Sequence, residues 1–396
     1  MGGEHTSEHA TTYISSVLLL DSGRVALTPP NDTPIPVPDK PFWLRGLSVE
    51  VTEEDPAVSV PLTEVYLHHV AFYDGSLGAD VCGGANLDSR DALWSIGAES
   101  RHTRTFFPNG FGYPVGNLTT NTVPGWAANI HIIRTVGVPH VKRCIECSCP
   151  GGGGSEDCCP DGSLCPGMNQ SSHAVSSARE VKAYRLKYTL FYDSMVQGNE
   201  VEPVRYHTLD AGACQLEWNV PAVCPWKFHH AGTAAGTFQL PGRSGLRGTG
   251  RYFPFDILME PADKLPPHCI ADQRWSMEWP YDGRIVFGKG HIHIGAIDLA
   301  LYRNENELLC RTVARYGTGH NSSSEAAQHP EIQPAGNELG YVVEVTNCDE
   351  AFQTPVKVRK GEVLTVVARY RAQPWFDGVM GLFDIVVAPD RRQTIA

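Results

Sequence analysis

The stretch 288–302, GKGHIHIGAIDLALY, alternates small or polar residues with branched and aromatic ones. Such a period of two is typical of a β-strand that buries one face. The same stretch carries His291 and His293, and their i, i+2 spacing puts both imidazoles on one face of a strand. The stretch therefore predicts a strand that also offers two candidate metal ligands.

Other runs of β-branched and aromatic residues extend this pattern along the chain, and Gly, Pro, Asn and Asp bound them. They are VYLHHVAFY (65–73), ANIHIIRTV (128–136), AYRLKYTLFYD (183–193), YVVEVT (341–346), VLTVVARYR (363–371) and GLFDIVVA (381–388). The 39 glycines and 29 prolines supply turns, and no long amphipathic helix pattern occurs. The sequence predicts an all-β protein built from antiparallel β-sandwiches of jelly-roll type.

A length of 396 residues exceeds what one hydrophobic core usually organises, so we expect two tandem domains. The polar segment SMVQGNEVEP marks the boundary. We assign residues 10–197 to the first domain and 198–390 to the second. Within the first, residues 143–177 change to Cys, Gly, Ser and Pro, which indicates a disulfide-rich loop insertion.

Charge and hydropathy exclude several classes of function. A net charge of −12 without any basic run disfavours nucleic acid as a partner. Apolar runs fall short of the roughly 20 residues of a transmembrane segment. The numbered chain shows no signal peptide pattern, so we expect that one was removed or never present. Met1-Gly2 with Thr6 also fits a myristoylation pattern, although a tag or an engineered start explains it as well.

Cysteine usage predicts an oxidising compartment and hence secretion. The disulfide candidates are Cys82, Cys144, Cys147, Cys149, Cys158, Cys159, Cys165, Cys214, Cys224, Cys269, Cys310 and Cys348. A zinc knuckle at Cys144, Cys147, Cys158 and Cys159 is the alternative, but no histidine completes a standard spacing there. The glycosylation candidates are Asn31, Asn117, Asn169 and Asn321.

A second group of candidate ligands lies in the first half of the chain. His68 and His69 are adjacent, so a regular strand would point them to opposite faces, and they can share an ion only if the strand is bulged or ends there. His131, on a different predicted strand, would add a third imidazole. Three imidazoles suit copper or zinc.

Met380 is the candidate that distinguishes copper from zinc. Its thioether is soft and favours Cu(I), and its strand could lie beside the strand of His291 and His293. The alternative for every one of these residues is a structural role, with the histidines as core or surface groups and Met380 as packing. His207 and the pair His229-His230 are the histidines that we expect to lie outside any metal site.

Taken together, these segments resemble a known enzyme class. The order HHVAFYDG, NIHIIR, HIHIGAIDLALY and VMGLFDIVV is similar to that of the ascorbate-dependent type II copper monooxygenases, the peptidylglycine and dopamine hydroxylases. A closer resemblance is to the stress up-regulated nodulin family, carried by EVYLHHV, CIECSC, ACQLEWNV, AGNELGYVVEVTNC and GVMGLFDIVVA. That family is thought to share the copper monooxygenase fold and has no settled activity.

The resemblance implies two copper ions, with ascorbate as reductant and O2 as co-substrate. His68, His69 and His131 match the ligands of the electron-transfer copper. His291, His293 and Met380 match those of the copper that binds oxygen and substrate. The reaction implied is hydroxylation of a C–H bond in a small molecule or a peptide.

Two residues depart from the pattern of the peptide-hydroxylating relatives. Lys289 stands where they hold a carboxylate-binding arginine, and Asp384 stands where they hold a tyrosine. We treat both as candidate substrate-binding residues for a substrate other than an amidated peptide. The alternatives are that Asp384 pairs with Lys289, or that both are ordinary solvated charges at strand ends.

Three functions therefore remain open. The first is a copper-dependent monooxygenase-like oxidoreductase. The second is a non-catalytic copper-binding extracellular protein of the same fold, related to stress. The third is a disulfide-stapled extracellular binding module whose histidines are structural.

Overall fold

Strands dominate the protein, as the sequence predicts. The computed structural model describes residues 7–20, 25–28, 33–74, 93–101, 105–134, 181–196, 200–215, 217–220, 269–317, 338, 340–372 and 376–390. Within those ranges the only helix is a single 3₁₀ turn, Ala98–Arg101. No helix in the described ranges has the length and apolar character needed to cross a membrane.

Of the strands in the described ranges, twelve lie before residue 204. They are β1 (His9–Ile14), β2 (Leu18–Leu20), β3 (Val25–Leu27), β4 (Pro34–Ile35), β5 (Phe42–Glu53), β6 (Val65–Tyr73), β7 (Trp94–Ile96), β8 (Thr105–Phe106), β9 (Phe111–Val115), β10 (Trp126–Arg134), β11 (Lys182–Ser194) and β12 (Glu202–Pro203). One sheet has the order β1-β11-β5-β9-β12, with β2 on β11 and β8 on β5. A second has the order β3-β10-β6-β7, with β4 on β10.

Eleven strands follow. They are β13 (Arg205–Asp210), β14 (Trp218–Val220), β15 (Ile270–Glu278), β16 (Gly283–Ile292), β17 (Ala296–Arg303), β18 (Glu307–Tyr316), β19 (Val342–Val345), β20 (Val356–Val358), β21 (Val363–Arg371), β22 (Phe376–Val379) and β23 (Gly381–Pro389). They form the sheets β13-β23-β16-β20, β15-β21-β17-β18-β19 and β14-β22. The described pairings are antiparallel, except that β12 runs parallel to β9.

Alternating burial explains why these segments form sandwiches. In β11, the side chains of Leu186, Tyr188 and Leu190 are buried, and the residues between them are partly exposed. Each strand of this kind hides one face from water, so two sheets must pack face to face. The sheets divide between the two halves of the chain near the boundary that we predicted, with β12 as the exception. The two-domain division and the jelly-roll connectivity stay predictions.

One expectation about the strands is wrong. The run IHIGAIDLALY (292–302) is not one strand, because β16 ends at Ile292 and β17 begins at Ala296. Gly295 adopts a φ of 93° in the intervening turn. Left-handed backbone favours glycine, and a methyl group there would also lie 2.5 Å from the ring of Phe376. The turn carries the chain from one sheet of the second half to another.

The halves share one hydrophobic core and meet along a contact that we call the seam. Trp94 stacks on Tyr206 across the seam, with ring centroids 5.5 Å apart. The ring centroid of Tyr66 lies 5.8 Å from that of Tyr341, also across the seam. The backbone N–H of Leu62 donates to Glu338 at 3.3 Å. These contacts fix the first half against the second around the histidines.

Part of the disulfide prediction is confirmed. Cys310 and Cys348 form a disulfide, and Cys214 and Cys269 are also disulfide-bonded. Asn117 is exposed in a turn, as a glycosylation site must be. The other eight cysteines, the insertion at 143–177, Asn31, Asn169, Asn321 and the pair His229-His230 lie outside the described residues.

Gly46 offers a test of the packing between β5 and β8. A methyl group at Gly46 would lie 2.6 Å from the backbone oxygen of Thr105, which cannot move aside cheaply. We expect Gly46→Ala to lower the free energy of unfolding by about 1–3 kcal/mol, measured by denaturant titration. Gly125→Ala is the matched control, because its methyl group enters open space. Equal stability of the two variants would contradict the packing described here.

Candidate metal centre

The strand of His68 and His69 contains the bulge that the adjacent pair requires. Along β6 and β10, His131 pairs with His69, whereas Ile132 pairs with Leu67, so His68 is the extra residue. A β-bulge turns the side chain of the extra residue away from strict alternation. Of the two conditions under which the pair could share an ion, a bulge or a strand end, the structure contains the bulge, and both imidazoles turn to the same region.

The three first-half histidines form a group with the spacing of metal ligands. One ring nitrogen from each of His68, His69 and His131 lies within 4.8 Å of the others. The Nδ1 atoms of His68 and His69 are 3.0 Å apart. Metal–imidazole bonds are about 2.0–2.1 Å long, so two nitrogens at this distance fit one ion at an angle of about 95°.

Asn129 determines which nitrogen of His69 can bind a metal. The Oδ1 atom of Asn129 lies 2.7 Å from Nε2 of His69. The amide nitrogen of Asn129 donates to the backbone oxygen of Thr28 at 2.6 Å, which fixes the orientation of the amide. Nε2 of His69 is therefore the donor, and Nδ1 keeps its lone pair. A polar neighbour that orients a ligating imidazole is a regular part of a metal site.

The second-half histidines converge as well. The Nε2 atoms of His291 and His293 are 3.1 Å apart, which fits two ligands of one ion at an angle of about 100°. The i, i+2 prediction is thus confirmed, although His293 lies just past the end of β16.

Met380 lies on the chain segment beside this pair. The strand β23, which starts at Gly381, pairs with β16 as predicted. The Tyr370 hydroxyl accepts from the backbone N–H of His293 at 2.9 Å and donates to the backbone oxygen of Met380 at 2.5 Å. Met380 is itself buried. Tyr370 therefore ties the backbone of Met380 to that of His293.

Glu99 is a site residue that the sequence analysis missed. Its Oε1 atom accepts from Nδ1 of His291 at 2.9 Å, and both side chains are almost fully buried. Burial alone raises the pKa of Glu99, but the attraction of His291 and Lys289 outweighs it and lowers the pKa. An ionised carboxylate makes Nδ1 of His291 the donor, so Nε2 is left as the metal-binding atom.

The signal for Glu99 was absent from the local sequence. Glu99 lies in the 3₁₀ turn of the first half, and its partner follows 192 residues later. The close approach depends on Gly97, where a methyl group would lie 2.5 Å from Cε1 of His291 and 2.6 Å from Oε2 of Glu99. Only contact across the seam makes this carboxylate part of the site.

Lys289 and Asp384 are paired inside the protein. Nζ of Lys289 lies 3.7 Å from Oδ2 of Asp384 and donates to the backbone oxygen of Ser95 at 2.6 Å. Asp384 also accepts from the Thr208 hydroxyl at 2.8 Å. Burial raises the pKa of Asp384, and Lys289 opposes that rise. The alternative that both are solvated charges is wrong, pairing is confirmed, and substrate binding by these residues stays a prediction.

His207 lies outside the cluster, as predicted. Its Nε2 atom is 2.6 Å from the hydroxyl of Tyr281, and its ring packs on Trp279 with centroids 5.1 Å apart. A histidine with these neighbours has a structural role.

Burial favours the neutral form of four of the clustered imidazoles. It lowers the pKa of His68, His131 and His293 well below the usual value, and the neighbouring imidazoles lower it further. For His69, burial and then His291 lower the pKa to about 4. Neutral imidazole is the form that binds a metal ion. Nδ1 of His131 is buried without a hydrogen-bond partner, which fits a nitrogen meant for a metal ion.

The chain matches a family of known proteins. A family described as Stress up-regulated Nod 19 matches residues 78–223 and 255–390. No curated protein matches the chain.

Three solved structures show weak similarity at 10% identity. The "STIV MCP" crystal structure covers 98% of this chain and 100% of its own, with a TM-score of 0.25. The match to the infectious bursal disease virus VP2 subviral particle covers 99% of this chain and 75% of the VP2 chain, with a TM-score of 0.18. The T=3 Penaeus vannamei nodavirus covers 98% and 93%, with a TM-score of 0.13. These scores carry no argument about this chain.

Glu99→Gln tests the role of the carboxylate. The amide keeps the shape of the side chain but loses the charge that orients His291, so we expect copper affinity at His291 and His293 to fall by about 10–100-fold. The measurement is a titration against a copper chelator. Glu307→Gln is the control, because Glu307 pairs with Arg303 on the exposed face of β18. Unchanged affinity in Glu99→Gln would contradict this role.

Acid should destabilise the metal-free protein through the four histidines whose pKa is lowered, His68, His69, His131 and His293. Their pKa lies below the value of about 6.5 expected in the unfolded chain, so between that pH and about pH 4 the unfolded state binds more protons. Stability should therefore fall as pH decreases from about 6.5 to 4, measured as the denaturant midpoint. His69→Gln removes one of these groups, and we expect a smaller fall. An equal or larger fall in the variant would contradict the assignment.

Proposed function

This chain belongs to the Stress up-regulated Nod 19 family, and we propose that it is a copper-dependent, ascorbate-driven oxidoreductase of monooxygenase type. The observation that supports the proposal is the convergence of five imidazoles at one place. His68, His69 and His131 would hold one copper, and His291 and His293 with Met380 would hold the other. Imidazole suits several metals, and the thioether of Met380 favours Cu(I).

The proposed reaction inserts one oxygen atom into a C–H bond. A substrate R–H, O2, two electrons and two protons give R–OH and water, and ascorbate supplies the two electrons one at a time. Bound copper supplies the one-electron redox chemistry, because it cycles between Cu(I) and Cu(II). The chain contributes neutral ligands, their orientation through Asn129 and Glu99, and the exclusion of bulk water. Exclusion of water protects reactive species from side reactions.

A copper-binding protein without C–H chemistry is the second candidate, and a specific observation favours it. The side chains of His68, His291 and His293 are at most 2% exposed. Lys289 and Asp384 fill the neighbouring interior with an ion pair. A closed site of this kind suits retention of a metal ion as well as catalysis on a small substrate.

Secretion is part of the same proposal. The disulfide between Cys310 and Cys348, and those of Cys214 and Cys269, suit an oxidising compartment, where such bonds persist. Exposed Asn117 offers a glycosylation sequon there. A small molecule or a peptide remains the proposed substrate.

Copper content and oxygen uptake test the proposal in sequence. We expect the reconstituted chain to hold two copper ions and His291→Ala to lose one of them. Ascorbate-dependent O2 consumption should rise with a true substrate and fall at least tenfold in Met380→Ala. His9→Ala, an exposed histidine on β1, is the control for both measurements.

Less than one copper per chain, with no effect of His291→Ala, would exclude both copper functions. Full copper content with substrate-independent O2 uptake that Met380→Ala leaves unchanged would leave the second candidate and exclude the first.

A further inference from the structure

The two sets of ligands are in direct contact across the seam. The ring of His68 lies 4.1 Å from that of His131 in its own set and 4.2 Å from that of His293 in the other set. The two rings of the second set, by comparison, are 5.0 Å apart. His68 is therefore as close to the second set as to its own neighbours.

The ring contact limits how far apart two bound ions can lie. A metal ion sits about 2.0–2.1 Å from the nitrogen that binds it, in the plane of the ring. With the centroids of His68 and His293 only 4.2 Å apart, ions on these two imidazoles cannot be separated by more than about 11 Å. Any tilt of the rings away from a straight line shortens that limit.

Contacts from the first half hold the second set in this position. Glu99 reaches His291 from the 3₁₀ turn, and Gly97 leaves the space in which the ring of His291 fits. Lys289, two residues before His291, donates to Ser95 of the first half. Three neighbouring contacts thus fix the ligand strand β16 against β7 and the turn that follows it.

Oε2 of Glu99 gives a second indication, independent of the ring contacts, that a cation would be stabilised here. This oxygen is buried without a hydrogen-bond partner. A buried carboxylate oxygen that lacks a donor is costly unless a cation lies near it. It lies beside Gly97 and His291, at the place where the two halves meet.

From these contacts we infer that the five imidazoles form one joined two-ion centre, with Glu99 at its edge, instead of two independent copper sites. The inference rests on the proposed copper function and specifies its geometry. Two electrons could then reach the same O2 molecule without crossing a stretch of protein. The seam itself is the metal centre.

The separation of the two copper ions tests the inference. Crystals of the reconstituted full chain, measured at the copper absorption edge, should show two anomalous peaks less than about 11 Å apart. In solution the unaltered chain should bind two copper ions, and His131→Ala and His293→Ala should each lower that number, with circular dichroism to verify folding. His9→Ala is the control and should retain both ions.

Two results would overturn the joined centre and leave the copper function intact. One is a pair of peaks farther apart than that limit. The other is a single copper per chain that either His131→Ala or His293→Ala abolishes, which would indicate a one-ion site. Less than one copper in the unaltered chain would instead refute the proposed function itself.

Discussion

Imidazoles that converge inside a protein cannot all carry a charge, because clustered buried cations would repel one another and lose their hydration. The ring contact between His68 and His293 is possible because burial lowers the pKa of both, and the surrounding residues orient the rings. Asn129 accepts a hydrogen bond from Nε2 of His69, and the carboxylate of Glu99 accepts one from Nδ1 of His291. Each of these two residues accepts a hydrogen bond from one ring nitrogen, so the lone pair of the other ring nitrogen is available to a metal ion. The residues around the cluster thus determine the orientation of the imidazoles.

The same constraint explains the charged interior beside the cluster. Lys289 and Asp384 face each other on β16 and β23, and both are buried. A buried ion pair is weak evidence for stability, but it fixes register because an unpaired member would be very costly. Here the pair holds β16 to β23, while the bond from Lys289 to Ser95 holds β16 to the first half. The placement of His291 follows from both attachments.

Local pattern predicted the strands well. The runs 65–73 and 363–371 coincide with β6 and β21, because they are rich in β-branched and aromatic residues and turn residues bound them. Prediction failed at Gly295, where an apolar run continues in the sequence although the backbone turns. Periodicity counts side chains and carries no information about φ at a glycine. Only tertiary packing distinguishes a long strand from two strands that join different sheets.

The candidate ligands could be predicted for a similar reason. The contact between the two sets of ligands could not. His68 with His69 implied a bulge, and the structure contains it. Glu99 had no local signal, because its role comes from a partner 192 residues away. Chain order likewise could not give the distance between the two ligand sets. That distance is a property of how the halves pack, which no single segment encodes.

The seam has a thermodynamic consequence. Ions at the proposed centre would bind the arrangement in which the halves are in contact more tightly than any arrangement in which the halves have moved apart, because Glu99 of the first half orients His291 of the second. By thermodynamic linkage, free metal would then shift the equilibrium toward the arrangement in which the halves are in contact. The size of the shift is set by the ratio of the free metal concentration to the dissociation constant. Gly97 and Glu99 lie where this balance is decided, since they let His291 approach the first half. If the proposed copper centre forms, the free metal concentration of its compartment would therefore favour contact between the two halves.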